Sequence, residues 1–238
     1  MLSIGTTRFG REHWQGSVEF ARHRHTDAYA AVVLAGGYEE CGCFGRVHVG
    51  PGDVVLHPRF DAHLDRFGAT RTEILNLPLP VAVPATRLAR LADPDGIVRL
   101  GERDPVAAAE RVVSELVARP KTIMDWPDRL AHDLSLPQFP GISRWARQNG
   151  LAPETVTRGF VRSFGVTPSH FRLEHRSHGA FEQITQSFAP LAQIAIGCGF
   201  ADQPHMTRAV KALTGFPPSF WRSQMYSSRK PGQRRKSA

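Results

Sequence analysis

The chain has 238 residues, 41% of them hydrophobic and 22% charged, and a formal net charge of +8. That is enough for one large domain or two small ones, and it excludes a disordered polar polymer or a coiled-coil rod. No run approaches the roughly 18 apolar residues of a membrane span, and the opening MLSIGTTRFGREHW lacks the apolar core of a signal peptide. Three cysteines, Cys41, Cys43 and Cys198, are too few and too uneven for a disulfide framework. The expected setting is the cytoplasm, with no membrane partner.

The charge is unevenly placed. Residues 1–120 hold 14 Lys/Arg against 15 Asp/Glu, whereas residues 121–238 hold 16 against 7. Five of the basic residues lie in the tail 227–238, SSRKPGQRRKSA, which has no apolar pattern and reads as a disordered basic end. A basic half attached to a neutral one points to a polyanion-binding module joined to something else.

In chain order, the first elements are short β-rich pieces separated by turn residues: AYAAVVLA, YEECGCF, RVHV, VVLH and RTEILNL, with Gly36-Gly37, Gly45 and Pro51-Gly52-Asp53 between them. Regular short strands of this kind predict a sandwich or barrel. HRHTDAYAAVVLAGGY followed by GRVHVGPGDVVLHPRFDAH resembles the cupin fold, through its HxH, its PGD turn and its Pro58 to His63 spacing. The resemblance implies a jelly-roll barrel over residues 1–82, with an interior able to hold a small ligand at His23, His25, Tyr29 and His63.

His23 and His25, two apart on a strand, share a face, and a barrel can bring His63 to them to form a metal face, with zinc the expected ion if there is one. The Glu that metal-binding cupins supply shortly after the HxH is displaced or missing, since Asp27, Ala28, Tyr29 and Ala30 stand there. Cys41 and Cys43, with His57, offer a soft alternative, and the other reading is that the histidines only line an apolar pocket. No cofactor is expected otherwise, and no catalytic residue.

Residues 83–120 read as a helical connector. TRLARLA and PVAAAERVVSELVAR look helical, with Asp104 as N-cap and Pro105 in the first turn. Val106, Ala109, Val113, Leu116 and Val117 form a stripe that either packs on the barrel or pairs with a second copy; a homodimer contact is the expectation.

The second half repeats itself. VTRGFVRSFGVTPSHFR (156–172) and MTRAVKALTGFPPSFWR (206–222) share six identities at an offset of fifty, among them Arg158/Arg208, Gly165/Gly215 and Arg172/Arg222. Each copy runs helix, Gly-containing turn, helix, which is the order of a helix-turn-helix. The units span 142–164 and 190–214. Val156, Phe160 and Phe164, and then Met206, Val210 and Leu213, should point inward. The joining segment PSHFRLEHRSHGAFEQITQS would span about 30 Å as a helix. Adjacent major grooves lie about 34 Å apart.

At this point residues 123–225 resemble the DNA-binding domain of AraC/XylS-type transcription regulators, on RGFVRSFGVTPSHFR, IAIGCGFADQPHMTRAVKALTGFPPSFWR and the Gly199-Phe200 turn. Ala152, where a capping Ser is common, Gly159 and Val210 depart from the pattern. The resemblance implies an α+β two-domain protein, a cupin-like barrel plus an all-α domain (121–226) of two helix-turn-helix units joined by a connector helix. It also implies double-stranded DNA and a small-molecule effector as partners, and RNA polymerase as well if the chain activates. Glu154, Thr155, Thr157 and Arg158 are the implied DNA-facing residues of the first unit, and Gln203, His205, Thr207 and Arg208 those of the second. Arg162 and Lys211 are expected on phosphate. Arg can fork onto guanine, Gln can pair with adenine and Thr can meet the thymine methyl. The alternatives are a metal-dependent cupin enzyme and a regulator that senses the metal itself.

Overall fold

The computed structural model describes residues 3–43, 45–79, 86–120, 123 and 125–228. They belong to two compact units, Met1–Phe171 and Arg172–Ala238. The first unit begins with strands β1 (Ser3–Gly5), β2 (Gly10–Trp14), β3 (Val18–His25), β4 (Tyr29–Ala35), β5 (Tyr38–Gly42), β6 (Gly45–Val49), β7 (Asp53–His57), β8 (Ala62–Phe67), β9 (Thr72–Pro78) and β10 (Leu88–Arg90). Helices α1 (Pro94–Gly101) and α2 (Pro105–Glu115) follow, then β11 (Val117–Ala118), α3 (Trp126–Ser135), α4 (Ile142–Gln148), α5 (Pro153–Phe164) and the start of α6 (Pro168–Gln186). The rest of α6, α7 (Leu191–Gly197), α8 (Gln203–Thr214) and α9 (Pro218–Ser228) make the second unit.

The strands form two sheets, ordered β1-β3-β8-β5-β6 and β11-β10-β7-β4-β9-β2. Side chains alternate across each. Tyr29, Ala31, Val33, Val55 and Ile74 of the second sheet join Tyr38 and Phe67 of the first in the barrel interior. Ala30, Val32, Val54, Leu56, Leu75 and Leu77 face the other way and bury against Ile97 of α1 and Ala108, Ala109 and Val112 of α2. Both faces of the second sheet are therefore covered, which is why AYAAVVLA and VVLH read as unbroken apolar runs.

The outer face of the first sheet is covered by helices of the same unit. Cys41 and Leu64 share one core with Leu130 and Leu134 of α3, Trp145 of α4 and Val156, Phe160 and Phe164 of α5. In the second unit Met206, Val210 and Leu213 are buried. The inward sets expected from the repeat are thus the inward sets observed.

Three expectations for 83–120 are corrected. TRLARLA is a strand where a helix was expected: β10 pairs with the free edge of β7, Ala89 opposite Val54, and Arg90 Nε donates to Asp53 Oδ1 at 2.9 Å. Closing that edge and pairing the buried carboxylate outweigh a helical pattern only seven residues long. Helix α1, capped by Asp93 onto the Gly96 N–H, stands where none was expected. The stripe packs largely on the barrel: Ala109 of α2 is buried, Val113 and Leu116 pack against the same core, and Val106 stays exposed, as does Val117, which lies in β11 because the helix expected through PVAAAERVVSELVAR ends at Glu115. The expected boundary at 82/83 and the tail from residue 229 onward lie outside the described residues, and α9 runs to Ser228, one residue beyond the expected tail start.

Gly159 has a packing reason. A Cβ there would lie 2.5 and 2.7 Å from the Trp126 ring of α3. Its absence lets the two helices meet, so the residue that weakens α5 locally fastens it to its neighbour. Gly159→Ala should lower stability by about 1–3 kcal/mol, despite the better helix former, because the rigid indole must move. Urea unfolding of Gly159→Ala, with and without Trp126→Ala, measures this; the second change should recover most of the loss.

Candidate nucleic-acid interface and barrel pocket

The barrel interior contains a cavity of about 160 Å³. His23, His25, Tyr29 and His63 all line it, with Glu40, His57 and Asp65 beside them. Strand alternation brings His23 and His25 to one face of β3, and the antiparallel register sets His23 opposite His63 on β8. The ring centroids of these three histidines lie 4.5 to 5.2 Å apart. Tyr29 stacks on His57 at 4.3 Å, and its hydroxyl lies 3.4 Å from His63 Nε2.

The acid that the HxH lacks in sequence comes from elsewhere in the fold. Glu40 on β5 and Asp65 on β8 face the cavity, and Asp61, in the turn before β8, lies behind it, 3.1 Å from His57 Nδ1. Burial, then the neighbouring Asp61, pushes the Asp65 carboxyl up to about 8. Burial and then Asp65 push Glu40 up as well. Burial also works against the charge on Asp61, but the hydrogen bond from His57 prevails and keeps it well below the usual carboxylate range. Burial, reinforced by His23, holds His25 down to about 4, and burial with His57 holds His63 well below an ordinary histidine. Burial thus disfavours the charged form of both histidines.

The soft-ligand alternative does not assemble. Cys41 points out of the barrel into the helical core, while Cys43 Sγ lies 3.0 Å from Asp61 Oδ1. Cys41 and Cys43 therefore do not share a donor set with His57. Burial, before any charge effect, pushes both thiols up.

Behind the pocket wall, the outward side chains of the same strands hold the C-terminal end of α5. Arg66 Nη2 donates to the Arg162 carbonyl at 2.7 Å and Arg66 Nη1 to that of Ser163 at 3.2 Å. Arg22 Nη1 reaches the Phe164 carbonyl at 3.3 Å. These are carbonyls that a helix end leaves without partners, and a cation there also favours the helix dipole. Gly165 ends α5 at φ 68°, with Leu64 of β8 only 3.0 Å from where a Cβ would be. On α3, Asp125 and the fully buried Asp128 face Arg46 of β6 at 2.6 and 3.2 Å.

Helix α5 presents Glu154, Thr155, Arg158 and Arg162 to solvent, with Thr157 partly exposed and its hydroxyl donating to the Pro153 carbonyl at 3.0 Å. Ala152 gives this helix no side-chain cap. In the second unit, Gln203, Arg208 and Lys211 are exposed and His205 and Thr207 partly so. Asp202 caps α8 by accepting from the His205 N–H at 2.6 Å. Thr214 Oγ1 accepts from Trp221 Nε1 at 2.8 Å, so Trp221 belongs to the core. Arg222 binds the carbonyls of Ile184 and Ala189. Each polar face thus projects from a helix whose opposite side is buried.

The family model that matches the chain, described as a helix-turn-helix domain, covers residues 145–224. Residues 145–224 are a helix-turn-helix domain. No curated protein matches the chain. Solved structures similar to it include a transcriptional regulator with an AraC-type DNA-binding domain from Chromobacterium violaceum, 24% identical, TM-score 0.36, over 42% of this chain and 87% of that one. Fatty-acid-bound ToxT from Vibrio cholerae is 11% identical, TM-score 0.39, over 89% and 93%. The C-terminal domain of AraT, a response regulator from Geobacillus stearothermophilus, is 18% identical, TM-score 0.39, over 46% and 90%. The matched helix-turn-helix domain begins at Trp145 of α4 and ends within α9.

Sequence reasoning missed Glu40 and Asp65 in the pocket, Asp61 behind it, and Arg22 and Arg66 on its outer face. The pattern His63-Leu64-Asp65, a second H-x-acid on a strand paired with the HxH, was the available signal for Asp65. Arg46→Met removes the cation that faces buried Asp128 and should cost about 3–5 kcal/mol. Thermal or urea unfolding of Arg46→Met, Asp128→Asn and the double variant checks this, and the double variant should lose much less than Arg46→Met alone.

Proposed function

We propose that the chain is a sequence-specific, double-stranded DNA-binding transcription regulator of AraC/XylS type, controlled by a small ligand held in the barrel. The observation that carries this reading is the helix-turn-helix match over residues 145–224, together with the exposed polar faces of α5 and α8. In this reading α5 and α8 enter adjacent major grooves. Glu154, Thr155, Thr157 and Arg158 face bases from α5, and Gln203, His205, Thr207 and Arg208 from α8, while Arg162 and Lys211 contact phosphate. The basic residues from Arg229 onward add sequence-independent attraction.

Residues 1–82 serve as the sensor, with His23, His25, Tyr29 and His63 at its ligand; 83–120 connect it to the DNA-binding region 121–226. The regulator works in the cytoplasm, as a homodimer, and contacts RNA polymerase if it activates. With Ala109 and Val113 packed on the barrel, the dimer contact must draw on other surface, to which exposed Val106 and Val117 can contribute. Ligand controls DNA affinity only if it binds two arrangements of the protein with different strength. A regulator that senses a metal ion in this pocket is the second reading, favoured by the convergence of one donor atom from each of His23, His25 and His63 within 4.8 Å.

Selection of bound DNA from a random duplex pool at near-physiological salt tests the DNA reading. Two short sequence blocks about one helical turn apart are expected. Arg208→Ala should cost about 1–3 kcal/mol on the selected site and relax one position, whereas Lys211→Ala should weaken all sequences alike and lower the salt slope by about one. Absence of any enriched sequence would overturn the reading.

A further inference from the structure

The barrel cavity is rich in acceptors and poor in donors. On the inner face of the first sheet, Glu40 of β5 sits directly opposite Asp65 of β8. Opposed residues of an antiparallel pair have Cβ atoms about 4.5–5.5 Å apart, and like charges placed so repel. Both carboxylates line the cavity, Glu40 1% and Asp65 8% exposed. Glu40 Oε1 and Asp65 Oδ1 are buried without a hydrogen-bond partner, which native interiors rarely allow. Among the described residues that line the cavity, Arg8 is the only permanent cation, and it is exposed, with its charge acting on Glu12.

The groups around the carboxylate pair do not supply the missing donors. His23 donates from Nδ1 to the Ala21 carbonyl at 3.0 Å, so its neutral ring keeps an acceptor at Nε2, 3.9 Å from Asp65 Oδ2. The Tyr38 hydroxyl is committed to the other oxygen of Glu40, donating to Oε2 at 3.4 Å. An anionic ligand would therefore meet two carboxylates and no interior cation, at the cost of an unpaired buried charge. Beside the pair the wall is aromatic. Phe20 of β3 stands opposite Asp65 on its other side, and Tyr38 and Phe67 form the next inward cross-strand pair. Trp14 meets Phe20 at 4.6 Å between ring centroids and Phe67 at 5.8 Å. Aromatic faces attract cations as well as apolar groups.

We propose that the barrel takes a small primary amine in its ammonium form, the N–H groups donating to Asp65 and Glu40 and the apolar body lying against Trp14, Phe20 and Phe67. Three donors on one nitrogen match the acceptors that face one another there, and a charge-assisted hydrogen bond is roughly twice as strong as a neutral one. A hydroxyl in the same place has one donor and leaves one of the two carboxylates unmatched. The cavity of about 160 Å³ falls below the range for drug-sized ligands, roughly 300–1,000 Å³, and suits a body of one ring or a short alkyl chain. The inference rests on the reading of the barrel as a ligand-binding sensor and is independent of what the helix-turn-helix domain binds.

The test uses the full chain, freed of metal with chelator and titrated by calorimetry. The probes are benzylamine, phenethylamine and butylamine, each beside the alcohol and the carboxylate of the same carbon skeleton. At least one amine should bind one equivalent, at least about tenfold tighter than its alcohol, and the carboxylates should not bind. Asp65→Asn and Glu40→Gln should each weaken that amine by at least about tenfold and leave its alcohol nearly unchanged, whereas a variant that merely loosened the barrel would weaken both alike. Melting curves with and without amine establish that each variant folds and give a second measure of binding. Where one variant does not fold the other decides, and the comparison of amine with alcohol on the parent chain stands by itself. An alcohol or carboxylate that binds as tightly as its amine would overturn the assignment while leaving the sensor reading intact. Undiminished amine affinity in both variants, or no binding of any amine, would overturn it as well. No DNA enters this experiment, so its failure is distinct from a failure of the DNA selection.

Discussion

The two-residue period of β3, β5 and β8 is the constraint on which the rest of the first unit depends. Their inward positions, His23, His25, Glu40, His63 and Asp65, make the pocket, and the positions between them, Arg22, Cys41, Leu64 and Arg66, hold the helices. A side chain that lines the cavity and a side chain that touches α5 are therefore neighbours in sequence, separated by the thickness of one strand. A one-residue slip of β8 would place His63 and Asp65 in the helical core and Leu64 and Arg66 in the cavity, destroying both sites together. The pairing of His23 with His63 fixes the register for pocket and clamp alike.

This arrangement gives the two helix-turn-helix units different supports. The first has an uncapped N-terminus at Ala152 and draws its fastening from outside itself: the guanidinium groups of Arg66 and Arg22 at its C-terminal carbonyls, and Trp126 against Gly159. The second is fastened by its own residues, through the Asp202 cap, the Thr214 and Trp221 bond, and Arg222 on the end of α6. Along α5, the exposed residues Glu154, Thr155 and Arg158 occupy the first half of the helix, and the carbonyls held by the barrel occupy the other end. Movement of β8 would reach the exposed end through a stiff rod of three turns.

What the sequence made legible follows the same physics. The helix-turn-helix units could be read because amphipathic periodicity, Gly turns and an internal repeat are local signals, and the inward sets Val156, Phe160, Phe164 and Met206, Val210, Leu213 follow from 3.6-residue spacing alone. The central strands β4 and β7 were legible as apolar runs. Strands β8 and β2 were not, because in β8 the inward His63 and Asp65 break the apolar pattern and β2 is GREHW. The TRLARLA segment was misread because three residues of strand carry no period that outweighs a helical one, and only the pairing with β7 and the carboxylate of Asp53 decide it. The missing acid after the HxH illustrates the limit most clearly: Glu40 and Asp65 are fifteen and forty residues beyond His25, and only the pairing of β3, β8 and β5 brings them to it.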